Sequence, residues 1–550
     1  MSKETTFDFV VVGGGTAGVV VASRLSQKFS VALVEAGPND ILNPHITDPK
    51  SFLMLIGDGI LMDYSSVPQS HCDNRNMTQF AGRAVSGSSA ANMGVWTRAS
   101  KTDYEVIAEK AGHRRFTFEG LLPYFKRTEH FWDTAADPKY HGFDGPIHTT
   151  AGRKYPMRNI LQQSFSARGV ETNPEPSDGD PTGLSAVCQN FRITSSSDST
   201  RQHSARVYDL SRVHVLASTF VRKVMFQEGR ATGVELLDGN QLLARREVII
   251  SCGAYKTPQL LMLSGIGPLL ELSKHFIPQV VDSPEVGRNL FDHNSLVQYY
   301  QLRRPEKGFA LPFTGTAKPE YGQGAPSDFI AFQALPTPDL KAALAADDPT
   351  IDDLHPHLRP KRCHHISMVF YNPLIAPPDY SSHLGGPLDG THIALISLLL
   401  LPTSRGSITL PSTDPTAHPI IDPNYLSTSA DRYSLRTAVR RNLQLAETEP
   451  LASELVAETP PDGFPALTSR SSDEEIDARI SKFCGTIYHA QGTAALGTVL
   501  DAEFRVKGVK GLRVCDASVL PEAVGAMPQA TIYALAELAA ELIGTENGDE

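Results

Sequence analysis

The first apolar run of the chain, Phe7-Asp8-Phe9-Val10-Val11-Val12, stops at Gly13-Gly14-Gly15. A run this short, closed by glycine, has the pattern of a buried strand and a tight turn. Thr16 to Leu25 follows as a helix, and a second strand, Val31 to Val34, ends at Glu35. Glu247-Val248-Ile249-Ile250 is a further strand, after which Thr257-Pro258 is expected to open a short helix that Gly265 to Pro268 closes. Ile393 to Leu401, broken only by Ser397, and Ser407 to Leu410 read as strands. Helical spacing returns at Ser434, Leu435, Ala438, Val439 and Leu443. It returns again at Ile532, Leu535, Ala536, Ala539, Leu542 and Ile543, in a helix opened by Pro528 and Gln529.

The opening strand, turn, helix and second strand are the order in which a dinucleotide is bound. Gly13 permits the turn, Gly15 lets backbone approach a pyrophosphate, and Gly18 allows the helix to pack closely, with phosphates at the helix N-terminus. Glu35, roughly twenty residues on, stands where a ribose hydroxyl acceptor is expected, which favours FAD or NAD over NADP. A second glycine- and serine-rich stretch, Gly82 to Val95, embeds Val85, Met93 and Val95 and is followed by Trp96. Those apolar residues mark a buried, ligand-lining segment rather than a surface loop.

At 550 residues the chain is too long for one core and is expected to form two or three domains. A net charge of -11 and a pI near 5.9 argue against a nucleic-acid surface and for small-molecule partners. Met1 to Thr6 leaves no room for a signal peptide and the longest apolar run is shorter than a membrane span, so a cytoplasmic protein without a membrane helix is expected. The six cysteines show no paired spacing, which suits reduced thiols. Cys363-His364-His365 has metal-ligand types, but neighbours on a strand point to opposite faces, and no metal is expected. Asn76-Met77-Thr78 fits a glycosylation acceptor that needs an export signal to be modified.

The glycine stretches, together with Gly253 to Gly267, Val286 to His293, Ser404-Arg405-Gly406, Ile421 to Leu426 and Leu512 to Ser518, resemble the glucose-methanol-choline (GMC) oxidoreductase family from Phe7 to Ile543. The resemblance implies an α/β fold: a Rossmann-like FAD-binding domain, with a second, substrate-binding domain built on an antiparallel sheet with helices. The FAD domain would take residues 1–302, with excursions near 150–205 toward the substrate side, and 483–550. The substrate domain would take 303–482. It is proline-rich between Pro305 and Pro378 and reads there as a lid or binding loop, with a disordered portion at Ala345 to Asp348 and a solvated turn at Asp352-Asp353.

By the same resemblance Thr16, Ala17, Glu35 and Ala36 would hold the ADP half of FAD. Asn92, Met93, Gly94 and Val95 would hold the diphosphate and flavin, and Val221 the adenine through its backbone. Asp516 and Ala517 would approach the diphosphate and ribityl chain, and the amides opening the helix at Pro528 and Gln529 would stabilise negative charge on reduced flavin. Ala91 stands where covalently flavinylated members carry a histidine, so the FAD is expected to be non-covalent. Ser86 before Gly87 departs from the family's double glycine.

His489 matches the family's catalytic histidine, which takes an alcohol proton while hydride leaves for the flavin. Oxygen or another acceptor would reoxidise it. Met527 occupies the position of the family's second histidine or asparagine, with Gln529 as a stand-in donor if the turn is shifted. An apolar wall at Met527, beside Tyr488, suits an apolar or aromatic alcohol and a place in secondary metabolism. The alternative is a flavin-containing lyase or cyclase that uses His489 for acid or base chemistry.

Overall fold

The structure, a computed structural model, describes residues 4–48, 55, 57–152, 154–195, 198–311, 324–372, 387 and 389–548. The expected proline-rich lid lies partly outside these, at 312–323 and 373–386, as do the first three residues. A parallel sheet is built from both ends of the chain. Val213–Leu216, Val31–Val34, Glu4–Val12, Gln241–Ile250 and Leu512–Val514 lie side by side in that order. Strands covered on both faces by helices and loops carry continuous apolar runs, and Phe9, Val10, Val11 and Val12 are accordingly buried. The register aligns Leu216 with Val34, Val34 with Val12, Val12 with Ile250 and Ile250 with Val514. The five strands therefore end level, and Gly13, Glu35, Ser251 and Asp516 gather at one carboxyl edge, the ligand crevice of such sheets.

The helices Thr16–Leu25 and Gln529–Gly548 pack together under this edge. Glu537, buried between them, takes Arg24 Nη2 at 2.7 Å and the Tyr208 hydroxyl at 2.9 Å, so the charge pair is hydrogen-bonded on both sides.

The helix expected from Thr257 starts four residues earlier, as Gly253–Leu263. Asp516 explains the difference: its Oδ2 accepts from Gly253 N at 2.9 Å and from Thr257 Oγ1 at 2.6 Å, capping the helix from the far end of the sequence. Pro258 then lies inside the helix and leaves the Ala254 carbonyl without its backbone donor. The Thr493 hydroxyl supplies one at 2.6 Å. The expected disorder at Ala345 to Asp348 is also corrected. Most of it belongs to the helix Thr337–Asp347, whose Asp347 carboxylate accepts from Ser429 N at 2.7 Å and Ala430 N at 3.0 Å.

The second sheet is antiparallel, in the order Leu455–Thr459, Asn294–Leu302, His392–Leu399, His365–Phe370, Phe329–Gln333 and Gly183–Ala186, with Gly485–Thr486 joined to Asn294–Leu302. Three of its strands come from outside residues 303–482. The helix Ser429–Ala446 covers one face, where Asn442 Nδ2 donates to Ser397 Oγ at 2.8 Å. Alternation then turns Ile396 and Leu398 to the other face, paired with Val297 and Ser295 on one side and Met368 on the other. Cys72 and Cys484, distant in sequence, are free thiols with Sγ atoms 3.5 Å apart.

Candidate active site

A cavity of about 530 Å³ lies between the crevice of the parallel sheet and the apolar face of the antiparallel one. At its crevice end it is lined by Gly13, Gly15, Thr16, Ala17, Glu35, Ala36 and Val221. Gly15 caps the helix Thr16–Leu25 without a side-chain bond, so the first amides of that helix are free of side-chain caps, as an anion site requires. A Cβ on Gly15 would find its nearest atoms at 3.9 Å, so the protein itself leaves that space open. Glu35 accepts from Gly14 N and Gly37 N, both at 2.8 Å. Burial pushes its carboxyl up to about 7 against those two bonds and the Arg83 charge.

Asn92, Met93, Gly94 and Val95 form the next part of the wall. The loop before them keeps its turn although Ser86 replaces glycine. Ser86 adopts φ +100°, in the region that favours glycine, and its Oγ is held by His203 Nδ1 at 2.7 Å and by Ala205 N at 2.9 Å. Gly18 and Val85 do not line the cavity. A Cβ on Gly18 would lie 1.9 Å from the Gly13 carbonyl oxygen, so this glycine serves the packing of helix on turn, and Val85 is buried in the core. Asp516, Ala517, Pro528 and Gln529 bring in the chain's closing segment.

Tyr488, His489 and Met527 line the other end. Tyr488 turns the chain at φ +64°, and Asp292 anchors both sides of that turn, through the Thr486 hydroxyl before it and the His489 N–H after it. Asp292 Oδ1 accepts from His489 N and from His293 N, both at 2.8 Å, while its Oδ2 takes the Tyr425 hydroxyl at 2.6 Å and the Thr486 hydroxyl. Burial pushes the His489 imidazole down to about 4, so it is neutral at neutral pH and holds a lone pair for a proton. Asp292 and His293 are site residues that sequence reasoning misses, although the motif Val286 to His293 contains them. Their carboxylate and ring act on His489 across nearly two hundred residues, a contact without local signal.

Met527 is 8% exposed and donates only its backbone N–H, to Thr97 Oγ1 at 3.1 Å. The shifted turn that would make Gln529 a stand-in donor does not form. Gln529 donates its Nε2 to the Val95 carbonyl at 2.7 Å and accepts at Oε1 from Asn92 Nδ2 at 3.1 Å, bridging two cavity segments instead of facing a substrate. Val297, Met368, Phe370, Ile396 and Leu398 complete an apolar wall. In the run of metal-ligand types at Cys363 to His365, His364 Nε2 meets the His357 carbonyl at 2.9 Å and His365 Nε2 meets Arg441 at 2.8 Å.

Burial holds several histidines neutral. His203, His364 and His489 are pushed down to about 4, and His293, His357 and His365 also lie well below 6.5. The unfolded chain takes up protons on these rings below 6.5 while the folded one does not, so stability is lost as pH falls from there toward 4. Glu35, raised to about 7, and His141, also shifted upward, act in the opposite sense but are outnumbered. The urea midpoint is expected to drop between pH 7 and pH 5, and an unchanged or rising midpoint would contradict this charge assignment.

Two family models match the chain, both described as GMC oxidoreductase, over residues 7–295 and 402–536. The GMC-type oxidoreductase acuG of Aspergillus aculeatus is 41% identical over 546 residues, covering 99% of each chain. The crystal structure of a formate oxidase superposes with a TM-score of 0.87 at 27% identity over 100% of both chains. That of a fungal aryl-alcohol oxidase does so with 0.80 at 26%, covering 98% of this chain and 99% of the other. With an uncapped helix at a glycine turn, an acid at the second strand and a neutral histidine on one cavity, the chain belongs to the glucose-methanol-choline oxidoreductases, a family whose cofactor is FAD.

Proposed function

We propose that the protein oxidises the hydroxyl of a small apolar or aromatic alcohol to a carbonyl, with His489 taking the hydroxyl proton. The wall from Gly13 to Gln529 would hold FAD without a covalent link, and the cofactor would supply the hydride acceptor there, with oxygen or another acceptor as the terminal oxidant. The observation that carries the reading is the cavity that joins the glycine turn to His489. His489 enters as the neutral base because burial disfavours its cation. The wall formed by Val297, Met368, Ile396, Leu398 and Met527 is apolar, and the Ser295 hydroxyl beside it donates to the Gly485 carbonyl at 3.4 Å, so this part of the cavity sorts against sugars and for an apolar or aryl body that leaves one hydroxyl to His489. The aryl-alcohol oxidase among the similar structures supports that class. The proposal includes a specialised, secondary-metabolic substrate and a cytoplasmic protein.

Anaerobic titration with aryl, aliphatic and sugar alcohols tests the reading through flavin absorbance. Bleaching by aryl or apolar alcohols and not by sugars is the expected result. A second reading rests on Met527, which gives no donor to a developing alkoxide. In it His489 performs acid or base chemistry as a lyase or cyclase without net redox turnover, and flavin that stays oxidised with every alcohol would favour it.

A further inference from the structure

The rings of His293 and His489 cross at 79° with centroids 5.2 Å apart, and their Nδ1 atoms meet at 3.1 Å. A contact between two imidazole nitrogens needs one donor and one acceptor, so only one of the rings carries its proton at Nδ1. His293 is fully buried, and burial with the neighbouring His489 holds it neutral, with a single proton to place. The Leu400 carbonyl acts on the His293 ring as an acceptor, while Nε2 is buried and makes no regular hydrogen bond. Since Nδ1 is turned to His489, that acceptor favours a His293 whose proton sits on Nε2. With the proton at Nε2, Nδ1 of His293 accepts. The backbone N–H groups of both histidines bind one oxygen, Asp292 Oδ1, which fixes the two chain segments relative to each other.

We propose that His293 is a positioning residue that sets the tautomer of His489, accepting its Nδ1–H and leaving its Nε2 lone pair open to the substrate hydroxyl. The proposal rests on the reading of His489 as the base. A His489 protonated at Nε2 would present a hydrogen to that hydroxyl and could not take its proton. His293 touches neither substrate nor cofactor in this arrangement and acts only through His489.

Three variants of the holoenzyme, His293→Leu, His293→Asn and His489→Ala, test it alongside ¹⁵N spectra of histidine-labelled protein. The His489→Ala spectrum identifies the His489 signals. Those signals are expected to show a protonated Nδ1 and a bare Nε2, and the reverse overturns the proposal whatever the variants do. His293→Leu removes the acceptor and is expected to lower kcat by about 10- to 100-fold, the usual effect of losing a histidine's outer partner, with KM and FAD content unchanged. His293→Asn, whose amide oxygen can accept near the same point, is expected to recover most of that loss. Equal losses in the leucine and asparagine variants would mark the ring as packing only, and a fully active leucine variant would overturn the proposal. If His489→Ala is inactive while His293→Leu is not, this inference alone fails. A fully active His489→Ala removes the base reading and this inference with it.

Discussion

His489→Ala is expected to retain FAD and to lose about 10²- to 10⁴-fold in kcat, the range that a positioned general base contributes. His489 lines the cavity at the end opposite the glycine turn, so its removal leaves the crevice residues Gly15, Glu35 and Asp516 in place. The pH profile gives the loss its signature. Burial places the wild-type imidazole at about 4, well below the 6.5 of an exposed histidine, and the neutral ring is the active form. The kcat/KM of the wild type should therefore rise through the region of pH 4 and lie flat across 6.5, and the alanine variant should lose that limb. An alanine variant that keeps both rate and limb would remove His489 from the chemistry. One that loses FAD would show instead that the ring supports the cavity.

The Rossmann half was legible because its signals are local. Phe7 to Val12, the glycines, Thr16 to Leu25 and Glu35 each declare themselves by short apolar runs, turn residues and spacing, and the strand and helices fall where these put them. The Gly253–Leu263 helix shows where that reading stops. Proline at position 258 argues for a start, but Asp516 and Thr493, more than two hundred residues away, cap the N-terminus and satisfy the carbonyl that proline abandons. Ala345 to Asp348 misleads for the same reason: a small acidic run looks unstructured until Asp347 is seen capping Ser429. At the active site, Met527 could be placed by family resemblance, yet the occupation of Gln529 by Asn92 and Val95 depends on side-chain direction, which spacing does not give. His293 was hidden altogether, since its meaning lies in one nitrogen facing another across the fold.

Two glycines one turn apart should respond to the same substitution in opposite ways. Gly18→Ala drives a methyl to 1.9 Å from the Gly13 carbonyl oxygen, with the Gly13 carbon at 3.1 Å and Ser251 Cβ also at 3.1 Å. Backbone on one side and the helix on the other leave no flexible group to yield, and a loss of about 3 kcal/mol, the upper end of overpacking costs, is expected in the unfolding free energy. Gly15→Ala meets nothing closer than 3.9 Å and lies at φ -78°, which alanine adopts freely. Its methyl enters the cavity beside the uncapped helix amides, where a diphosphate must approach the backbone. The apo protein should keep its unfolding midpoint while FAD binds about tenfold to a hundredfold more weakly, the equivalent of about 1–3 kcal/mol of overpacking against the ligand in place of the protein. Apo stability by denaturant and FAD affinity by fluorescence quenching separate the two cases. A Gly15→Ala protein that binds FAD normally would place the diphosphate elsewhere in the cavity, and one whose apo form unfolds early would make Gly15 a packing residue like Gly18.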